Sequence, residues 1–374
     1  MGSADPRNTL RCGDSLPSAN KIRYERLGRG GRTAKFSVIV PVHNAARMLD
    51  ACLASLERST VRDFECIVVD DGSTDDSEAV ALRHGATVVS LPNRGGPARA
   101  RNRGAAQARG GVLVFFDADV CVHTDTLAQI AAHLDEHPHT AAVIGSYDNS
   151  PADPGIISQY KNLLHHYVHH HSSPQAWTFW AGCGAVRREA FFDVEGFDES
   201  YARPCIEDIE LGLRLRRRGH RIDLNPAIQA THLKRWTFWT LLRTDLLDRA
   251  VPWFVLMLRS RTMPPDLNLR RSHRLSVVLV FLLLLLLATP AHWFRLAPWT
   301  WGVGVVALAA ALMGLNWDLY RFFARQRGVG FAAAAVPLHW LYYGYCGVAV
   351  GIGACVHLRD VITGRLRAAS VPSP

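Results

Sequence analysis

Two carboxylates one residue apart, Asp117 and Asp119, are the side chains of this sequence best suited to chemistry. They follow the apolar run Gly-Val-Leu-Val-Phe-Phe at 111–116, which predicts a buried strand. In an open α/β sheet, ligands bind outside the carboxyl ends of the strands. Two carboxylates there suit a hard divalent cation, Mg²⁺ or Mn²⁺, and such a cation suits a diphosphate. Two aspartates at this spacing also occur in ordinary surface loops, so the neighbouring elements determine whether the pair is a metal site.

Polar residues end two earlier strands at the same predicted edge. The β-branched run 36–40 is followed by Pro41 and Asn44, and the apolar run 64–69 is followed by Asp70 and Asp71. The carboxylates of this second pair can accept hydrogen bonds from a nucleobase N–H and from ribose hydroxyls. An ordinary turn capped by Asp is the alternative for that pair taken alone.

A basic, glycine-containing segment lies between these clusters, at 93–102. Its glycines permit close approach of a ligand to the backbone, and the helix start that follows them favours anions. Arg99 and Arg101 are candidates for contact with a phosphate or a base. A solvated basic helix face is the alternative for at least one of them.

The elements that carry these residues alternate between strand and helix with short connections. Helical spacing follows the first strand at 48–56, the second at 76–84, and a third strand, 87–90, at 98–108. This alternation predicts an α/β fold with a mostly parallel, doubly wound sheet. Further on, the sequence predicts a strand and three helices: a strand at 142–147, a helix capped by Thr124, and helices at 156–171 and 207–218.

Four motifs together resemble the nucleotide-sugar half of a family 2 glycosyltransferase. They are Ser-Val-Ile-Val-Pro-Val-His-Asn at 37–44, Val-Asp-Asp-Gly-Ser-Thr-Asp at 69–75, Ala-Arg-Asn-Arg-Gly at 100–104 and Phe-Asp-Ala-Asp at 116–119. The resemblance covers roughly 35–240 and implies a Rossmann-like GT-A fold that inverts the anomeric centre. It also implies a nucleotide-diphosphate sugar donor, with UDP as the expected nucleotide. Its donor-binding residues would be Pro41, Asn44, Asp70, Asp71, Arg101, Asp117 and Asp119.

The resemblance also implies an acidic catalytic residue at a helix start, and Glu-Asp-Ile-Glu-Leu-Gly at 207–212 matches that pattern. Asp208 would be the general base that takes a proton from the acceptor hydroxyl, with Glu207 as its alternate. If the acceptor is itself a phosphate, Asp208 would position it instead. The plain alternative is that acidic residues favour the first turn of a helix.

The resemblance adds a metal shell of Asp119, with Asp117 on the ribose or on the ion, completed by His232. A structural role is the alternative for this histidine. His165 and His169, one helical turn apart, are a weaker metal pair that has no carboxylate beside it in the sequence. Trp177, Phe179 and Trp180 are candidates for stacking on a sugar or lining a lipid entrance, with ordinary packing as the alternative.

The last hundred residues differ in composition from the rest. Three apolar stretches, 275–289, 299–317 and 331–356, approach the roughly 20 residues that cross a bilayer. A re-entrant hairpin around Pro337 would change the number of spans, and buried core helices are the alternative to spans. Arginines flank the first two stretches, so the positive-inside rule predicts a multi-pass protein of the inner or cell membrane whose catalytic domain is cytoplasmic.

The predicted organisation has five parts: a basic arm (1–34), the GT-A domain (35–240), an amphipathic interfacial helix and hinge (241–270), a transmembrane region (271–358) and a tail (359–374). The net charge of +9 is consistent with anionic headgroups near the membrane rather than nucleic acid. The eight cysteines have no metal or disulfide spacing, so reduced thiols are expected.

These predictions describe a membrane-anchored inverting glycosyltransferase that acts on a lipid or a lipid-linked glycan, similar to polyprenyl-phosphate glycosyltransferases. Three alternatives remain: a non-catalytic sugar-binding or scaffold protein on the same fold, a processive polysaccharide synthase, and a nucleotidyltransferase. The last would carry a glycine-rich basic loop directly after the first strand, where Pro-Val-His-Asn stands at 41–44. The sequence does not identify the sugar, the base, the acceptor or the oligomeric state.

Overall fold

The computed structural model describes residues 35–263, 270–289 and 298–363. It forms two compact units, of which unit 1 is the described part of Met1–Asp153 together with Ser173–Arg235. Unit 2 is Pro154–Ser172 together with the described part of Trp236–Pro374. The predicted arm 1–34 and most of the predicted tail lie outside the described residues.

Unit 1 has the predicted α/β class. Its strands are β1 (Phe36–Val42), β2 (Phe64–Asp70), β3 (Thr87–Ser90), β4 (Val112–Phe116), β5 (Val120–Val122), β6 (Thr140–Tyr147), β7 (Gln175–Ala176), β8 (Cys183–Arg187) and β9 (Arg221–His232). Its helices are α1 (Ala46–Glu57), α2 (Ser77–Arg83), α3 (Pro97–Gln107), α4 (Thr126–Glu136), α6 (Arg188–Asp193) and α7 (Glu207–Arg217). Helix α4 begins after Asp125, not after Thr124 as the sequence suggested.

The nine strands form one sheet in the order β3-β2-β1-β4-β8-β6-β9-β5, with β7 also paired to β9. The four strands β3, β2, β1 and β4 are parallel, as predicted from their alternation with helices. Strand β8 then runs antiparallel to β4, with Cys183 opposite Phe116. Strand β5 runs antiparallel to β9, with Val120 opposite His232. These two antiparallel pairs bring late residues of the chain beside the Asp117–Asp119 turn.

Alternation along β1 divides the core between the two faces of the sheet. Val38 and Val40 are fully buried in the cluster that also contains Leu49 of α1. Ile39 faces the opposite side, where Gly104 of α3 lies so close that a Cβ atom there would sit 2.5 Å from Ile39 Cγ2. The glycine thus allows α3 to pack directly on the strand ends that carry the candidate site.

Unit 2 is helical. It contains α5 (Ile156–His170), α8 (Phe238–Arg243), a π-helix (Thr244–Ala250), α9 (Val251–Ser260), α10 (Arg271–Ala288), α11 (Pro298–Leu315), α12 (Trp317–Arg327) and α13 (Val329–Ile362). Two of these, α10 and α13, are long and apolar enough to cross a membrane, and the pair α11–α12, bent by 67°, raises the number to three if it forms one span. Pro337 lies inside the unbroken α13, so the alternative of a hairpin broken at this proline is wrong.

Buried polar contacts hold the helices of unit 2 together. Lys161 of α5 places its Nζ 2.6 and 2.7 Å from the two carboxylate oxygens of Asp245 in the π-helix. The hydroxyl of Tyr345 in α13 donates to the same carboxylate at 2.7 Å. At the end of α13, Asp360 accepts a hydrogen bond from Arg259 of α9 at 2.6 Å. Because removing one partner leaves a buried charge uncompensated, these pairs fix how the helices of unit 2 register against one another.

Candidate active site

The Asp117–Asp119 turn is held between β4 and β5 at the edge of the sheet. The backbone N–H of Leu233 donates to the carbonyl of Asp119 at 2.8 Å, which brings the end of β9 against the turn. His232 Nε2 consequently lies 3.6 Å from Asp119 Oδ2. Burial alone would raise the pKa of Asp119, but hydrogen bonding to His232 and the charges of His232 and Lys234 hold it below its usual value. Asp119 is therefore a carboxylate at neutral pH.

Asp119 and His232 fit a divalent cation as two neighbouring ligands. Oxygen and imidazole nitrogen 3.6 Å apart can share one ion with little movement, and an octahedral ion commonly takes its other ligands from water and substrate phosphates. One carboxylate oxygen of Asp117, Oδ1, accepts a hydrogen bond from Arg101 at 2.6 Å. No group of three potential metal-binding side chains occurs within residues 35–263, 270–289 and 298–363. The protein side of a metal site here would thus be a pair completed by the diphosphate.

Arg101 joins the Asp117–Asp119 turn to the start of α7. Its Nη2 donates to Asp117 Oδ1 at 2.6 Å and its Nη1 to Glu207 Oε1 at 2.9 Å, while its side chain is only 5% exposed. Burial by itself would lower the pKa of Arg101, but the charges of Asp117 and Glu207 raise it above its ordinary value. The guanidinium is therefore a permanent cation between the two acidic clusters rather than a free surface charge.

The two acidic residues at the start of α7 have different surroundings. Glu207 is 4% exposed, bonded to Arg101 through one oxygen and to the Cys205 N–H through the other at 2.8 Å. Asp208 is half-buried, and its oxygens accept the backbone N–H groups of Ile209 at 2.8 Å and Ala181 at 3.2 Å. Two backbone donors therefore orient the carboxylate of Asp208. Of the predicted pair, Glu207 is thus bonded to Arg101 and Cys205, and Asp208 to the backbone of Ile209 and Ala181.

The predicted nucleoside pair, Asp70 and Asp71, shapes the loops around it. Asp71 accepts the N–H groups of Gly95 at 2.8 Å and Gly96 at 2.7 Å, one on each oxygen. Asp70 accepts the Ser73 N–H at 2.9 Å through Oδ1. Gly96 has φ of +91°, which lets the loop turn into α3. The pair thus holds the 93–96 loop in place beside the end of β2.

The first-strand residues, Pro41 and Asn44, occupy different positions. Pro41 lies within β1, paired with Val69, rather than after the strand. Asn44 follows β1 with φ of +50°, and its Oδ1 accepts the Thr74 N–H at 2.7 Å. Asn44 is exposed at the sheet edge, where it ties β1 to the 70–75 turn. All of the predicted donor residues are therefore carried by β1, β2, β4, α3 and the loops that follow the strands.

Two aromatic side chains, Tyr147 and Trp180, continue a series of ring contacts that begins at His232, and the sequence analysis considered only Trp180. The Tyr147 ring stacks on His232, with centroids 4.3 Å apart and planes 13° apart. Trp180 meets Tyr147 edge to face at 4.7 Å. From the sequence, Trp180 was one of three aromatic candidates, and Tyr147 was not a candidate. The one signal that could have identified Tyr147 is its position at the end of a predicted strand. The histidines 165 and 169 belong to α5 in unit 2, with ring centroids 3.9 Å apart.

A family model and several curated proteins match part of the chain. The family model described as "Glycosyl transferase family 2" matches residues 37–194. A "PGL/p-HBAD biosynthesis glycosyltransferase" of Mycobacterium tuberculosis is 38% identical over 122 residues, which are 29% of this chain and 45% of the relative. The poly(ribitol-phosphate) beta-N-acetylglucosaminyltransferase TarS of Staphylococcus aureus is 37% identical over 110 residues, 28% of this chain and 19% of TarS. The chain thus spans less than half the length of these curated relatives.

Two solved structures are similar at a lower level. The TarS 1–349 structure with UDP-GlcNAc has a TM-score of 0.45 and 18% identity, covering 88% of this chain and 92% of that one. The mannosyltransferase PcManGT of Pyrobaculum calidifontis, with GDP-Man and Mn²⁺, has a TM-score of 0.44 and 20% identity, covering 91% and 86%.

Proposed function

We propose, from the match of residues 37–194 to the family 2 glycosyltransferase model, that the enzyme transfers a sugar from a nucleotide-diphosphate donor, with inversion, to a lipid or lipid-linked glycan. The observation that carries the proposal is the arrangement of two acidic clusters about Arg101. Asp117 stands at one of its amino groups and Glu207, next to Asp208, at the other. One buried cation thereby contacts both a carboxylate of the Asp117–Asp119 turn and a carboxylate at the start of α7.

Each residue then has a distinct task. Asp119 and His232 would hold a Mg²⁺ or Mn²⁺ ion, which when bound supplies charge stabilisation for the departing diphosphate. Asp208 takes the proton of the acceptor hydroxyl as its oxygen bonds to the anomeric carbon and the bond to the diphosphate oxygen breaks. Asp71 holds the 93–96 loop, whose backbone lies where the nucleoside would meet the end of β2. UDP is the proposed nucleotide.

The acceptor class is proposed from unit 2. Two to three apolar helices in the same chain could cross a membrane, so a lipid-borne acceptor would share the bilayer that anchors the enzyme. TarS, a relative over part of the chain, is named for transfer to a poly(ribitol-phosphate), a polymer. We place the protein in the inner or cell membrane, with its catalytic domain on the cytoplasmic side, where the flanking arginines direct it.

A donor screen tests this function. Full-length protein in detergent would be exposed to UDP-GlcNAc, UDP-glucose, UDP-galactose and GDP-mannose, each with and without Mn²⁺, while its melting temperature is followed. We expect one nucleotide sugar to raise the melting temperature in a concentration-dependent, Mn²⁺-dependent manner, because ligand binding to the folded state stabilises it. The Asp119→Ala variant should lose the Mn²⁺ dependence, and the exposed-site variant Asp135→Ala serves as its control. Failure of every nucleotide sugar to bind would overturn the proposal and favour the scaffold alternative.

A further inference from the structure

The bend between α11 and α12 is fixed by buried hydrogen bonds. The two helices meet at Asn316 and are bent by 67°. Asn316 is 6% exposed, and its Nδ2 donates to Ser276 Oγ of α10 at 3.1 Å while its Oδ1 accepts from the Tyr343 hydroxyl of α13 at 2.7 Å. Straightening the pair into one rod would leave these buried polar groups without partners, so the bend is a stable feature of unit 2.

The two helices of the bent pair differ in composition. Helix α11 has 18 residues and no charged side chain, so its length of about 27 Å is close to the thickness of a bilayer core. Helix α12 has 11 residues and contains Arg321, Arg325 and Arg327. Because an arginine within the hydrocarbon is costly, α11 can cross a bilayer alone, whereas α12 is unsuited to be its continuation.

Helix α12 and the start of α10 lie at the same end of the α10–α11 pair. Asn316, directly after α11, contacts Ser276 near the start of α10. The indole N–H of Trp301, near the start of α11, donates to the carbonyl of Leu286 near the end of α10 at 3.0 Å. The two helices therefore run antiparallel, and the exposed Arg271 at the start of α10 lies at the end where α12 begins.

One face of α12 is buried within unit 2. The ring of Phe323 is fully buried between Tyr160 of α5 and Phe331 of α13, with centroids 6.0 and 5.7 Å away. Tyr320 is 4% exposed, and its hydroxyl is hydrogen-bonded to Nδ1 of His339 at 3.1 Å. These contacts fix which face of α12 points away from unit 2.

The outward face of α12 carries one aromatic and two basic side chains. Trp317, Arg321 and Arg325 follow one another at intervals of four residues, so they lie along one face of the helix. All three are exposed, and 57% of the surface of Trp317 is open. Tryptophan is enriched at the interface between membrane and water, and arginines beside a membrane are attracted to anionic lipids.

From this arrangement we propose that α12 lies in the plane of the membrane surface, where Trp317 enters the interface and Arg321 and Arg325 bind the headgroups of anionic lipids. The bent pair is then one span followed by one surface helix, and α10, α11 and α13 are three spans. A bilayer fits this face because α12 directly continues an apolar helix of spanning length and presents positive charges to negative headgroups. The inference rests on the proposed membrane location and is independent of the transferase activity.

Photochemical cross-linking tests which molecules touch this face. Full-length protein with Trp317→p-benzoylphenylalanine would be placed in nanodiscs of equal phosphatidylglycerol and phosphatidylcholine, illuminated and analysed by mass spectrometry. We expect lipid adducts in which phosphatidylglycerol exceeds phosphatidylcholine about tenfold, because the two arginines concentrate anionic headgroups. Adding Arg321→Gln and Arg325→Gln should keep the adducts and bring this ratio close to one.

Leu82 of α2 in unit 1 provides the matched control. It is 60% exposed, close to the value for Trp317, and Leu82→p-benzoylphenylalanine should form no lipid adduct. The proposal would be overturned by the absence of lipid adducts at residue 317, by equal yields at residues 317 and 82, or by a lipid ratio that ignores the two arginines. A protein that forms the adducts but binds no nucleotide sugar would lose the proposed transferase function and keep this surface helix.

Discussion

At the residue scale, Arg101 is the side chain on which the most contacts of the site converge. Its removal would leave the carboxylates of Asp117 and Glu207 without the cation between them. Breaking the buried pair with Glu207 in this way costs about 3–5 kcal/mol, because the Glu207 carboxylate stays desolvated. We therefore expect Arg101→Met to lower the melting temperature strongly, measured by differential scanning fluorimetry.

Two further variants make the Arg101 prediction specific. Arg103→Met, at a half-buried arginine of the same helix, should change stability by no more than about 0.5 kcal/mol. Adding Glu207→Gln to Arg101→Met should restore part of the loss, since it removes one of the uncompensated charges. Equal melting temperatures for Arg101→Met and Arg103→Met would contradict the role given to Arg101.

His170 provides a pH-dependent test in unit 2. Partial desolvation, together with the charges of His166 and His171, lowers the pKa of the solvent-accessible His170 to about 4. In the unfolded chain a histidine titrates near 6.5, so between roughly pH 6.5 and 4 only the unfolded state takes up this proton. The contribution of His170 to the free energy of unfolding is therefore complete above this window and is lost as the pH falls through it.

Between pH 7.5 and pH 5, we expect the melting temperature of His170→Asn to fall by less than that of the wild type. The variant His139→Asn, at an exposed histidine of unit 1, serves as the control and should follow the wild type. The low pKa assigned to His170 would be contradicted if all three proteins lost the same amount.

Candidate site residues could be predicted from the sequence where they stand at the end of a strand or at the start of a helix. Asp117, Asp119 and Asp208 stand out because acidic residues follow an apolar strand or begin a helix, and these positions can be located from the sequence pattern alone. The ion pairs of Arg101 with Asp117 and Glu207 could not be predicted from such a local pattern. Its ion pairs join residues 16 and 106 positions apart, and no local spacing encodes such a contact.

At the scale of elements, the 93–96 loop makes a testable link between backbone shape and binding. Gly96 has φ of +91°, and a Cβ atom there would lie 2.6 Å from the backbone carbonyl of Ala202. We expect Gly96→Ala to weaken UDP binding as well as stability, because the loop would leave Asp71. Binding is measured by calorimetry with Mn²⁺ present.

Gly85 is the matched glycine. Its φ is +69°, but a Cβ atom there would meet nothing within 4 Å. Gly85→Ala should carry only the cost of a left-handed conformation, about 1–2 kcal/mol, and leave UDP affinity unchanged. Loss of UDP binding in both variants would mean that stability, not the position of the 93–96 loop, governs the effect.

The parallel strands β3, β2, β1 and β4 were predictable from the sequence, and the mixed pairing of β8, β6, β9 and β5 was not. Strands β1 to β4 alternate with helices, and that alternation implies parallel neighbours. Strand β8 follows a glycine-interrupted segment and pairs with β4 from the far side, while β9 receives β5 and β7 as well as β6. Pairing between strands so distant in sequence depends on side-chain packing, which periodicity does not report.

At the scale of the whole molecule, the division into units bears on the predicted domain 35–240. Helix α5 lies within those bounds but belongs to unit 2, where Tyr160 packs on Phe323 and His166 on Phe322, with ring centroids 6.0 and 5.9 Å apart. A chain cut after residue 240 keeps α5 and loses α12. The apolar face exposed in this way should cause aggregation.

We expect the 1–240 protein to elute as aggregates in size-exclusion chromatography without detergent, while the full chain in detergent elutes as a single species. The control is the same truncated protein in detergent, which should cover the exposed face and restore a discrete peak. A discrete 1–240 species without detergent would contradict this expectation and support 35–240 as an independent domain.

The measurement that tests the central claim most directly is turnover by Asp208→Asn. Nucleotide-sugar consumption and UDP release would be followed with Mn²⁺ in native membranes, and UDP affinity measured on the same variant. The account predicts that kcat falls by about 10²–10⁴ while UDP affinity stays at the wild-type value. Turnover of Asp208→Asn within a few-fold of the wild type would contradict the claim that this carboxylate is the base opposite the metal side.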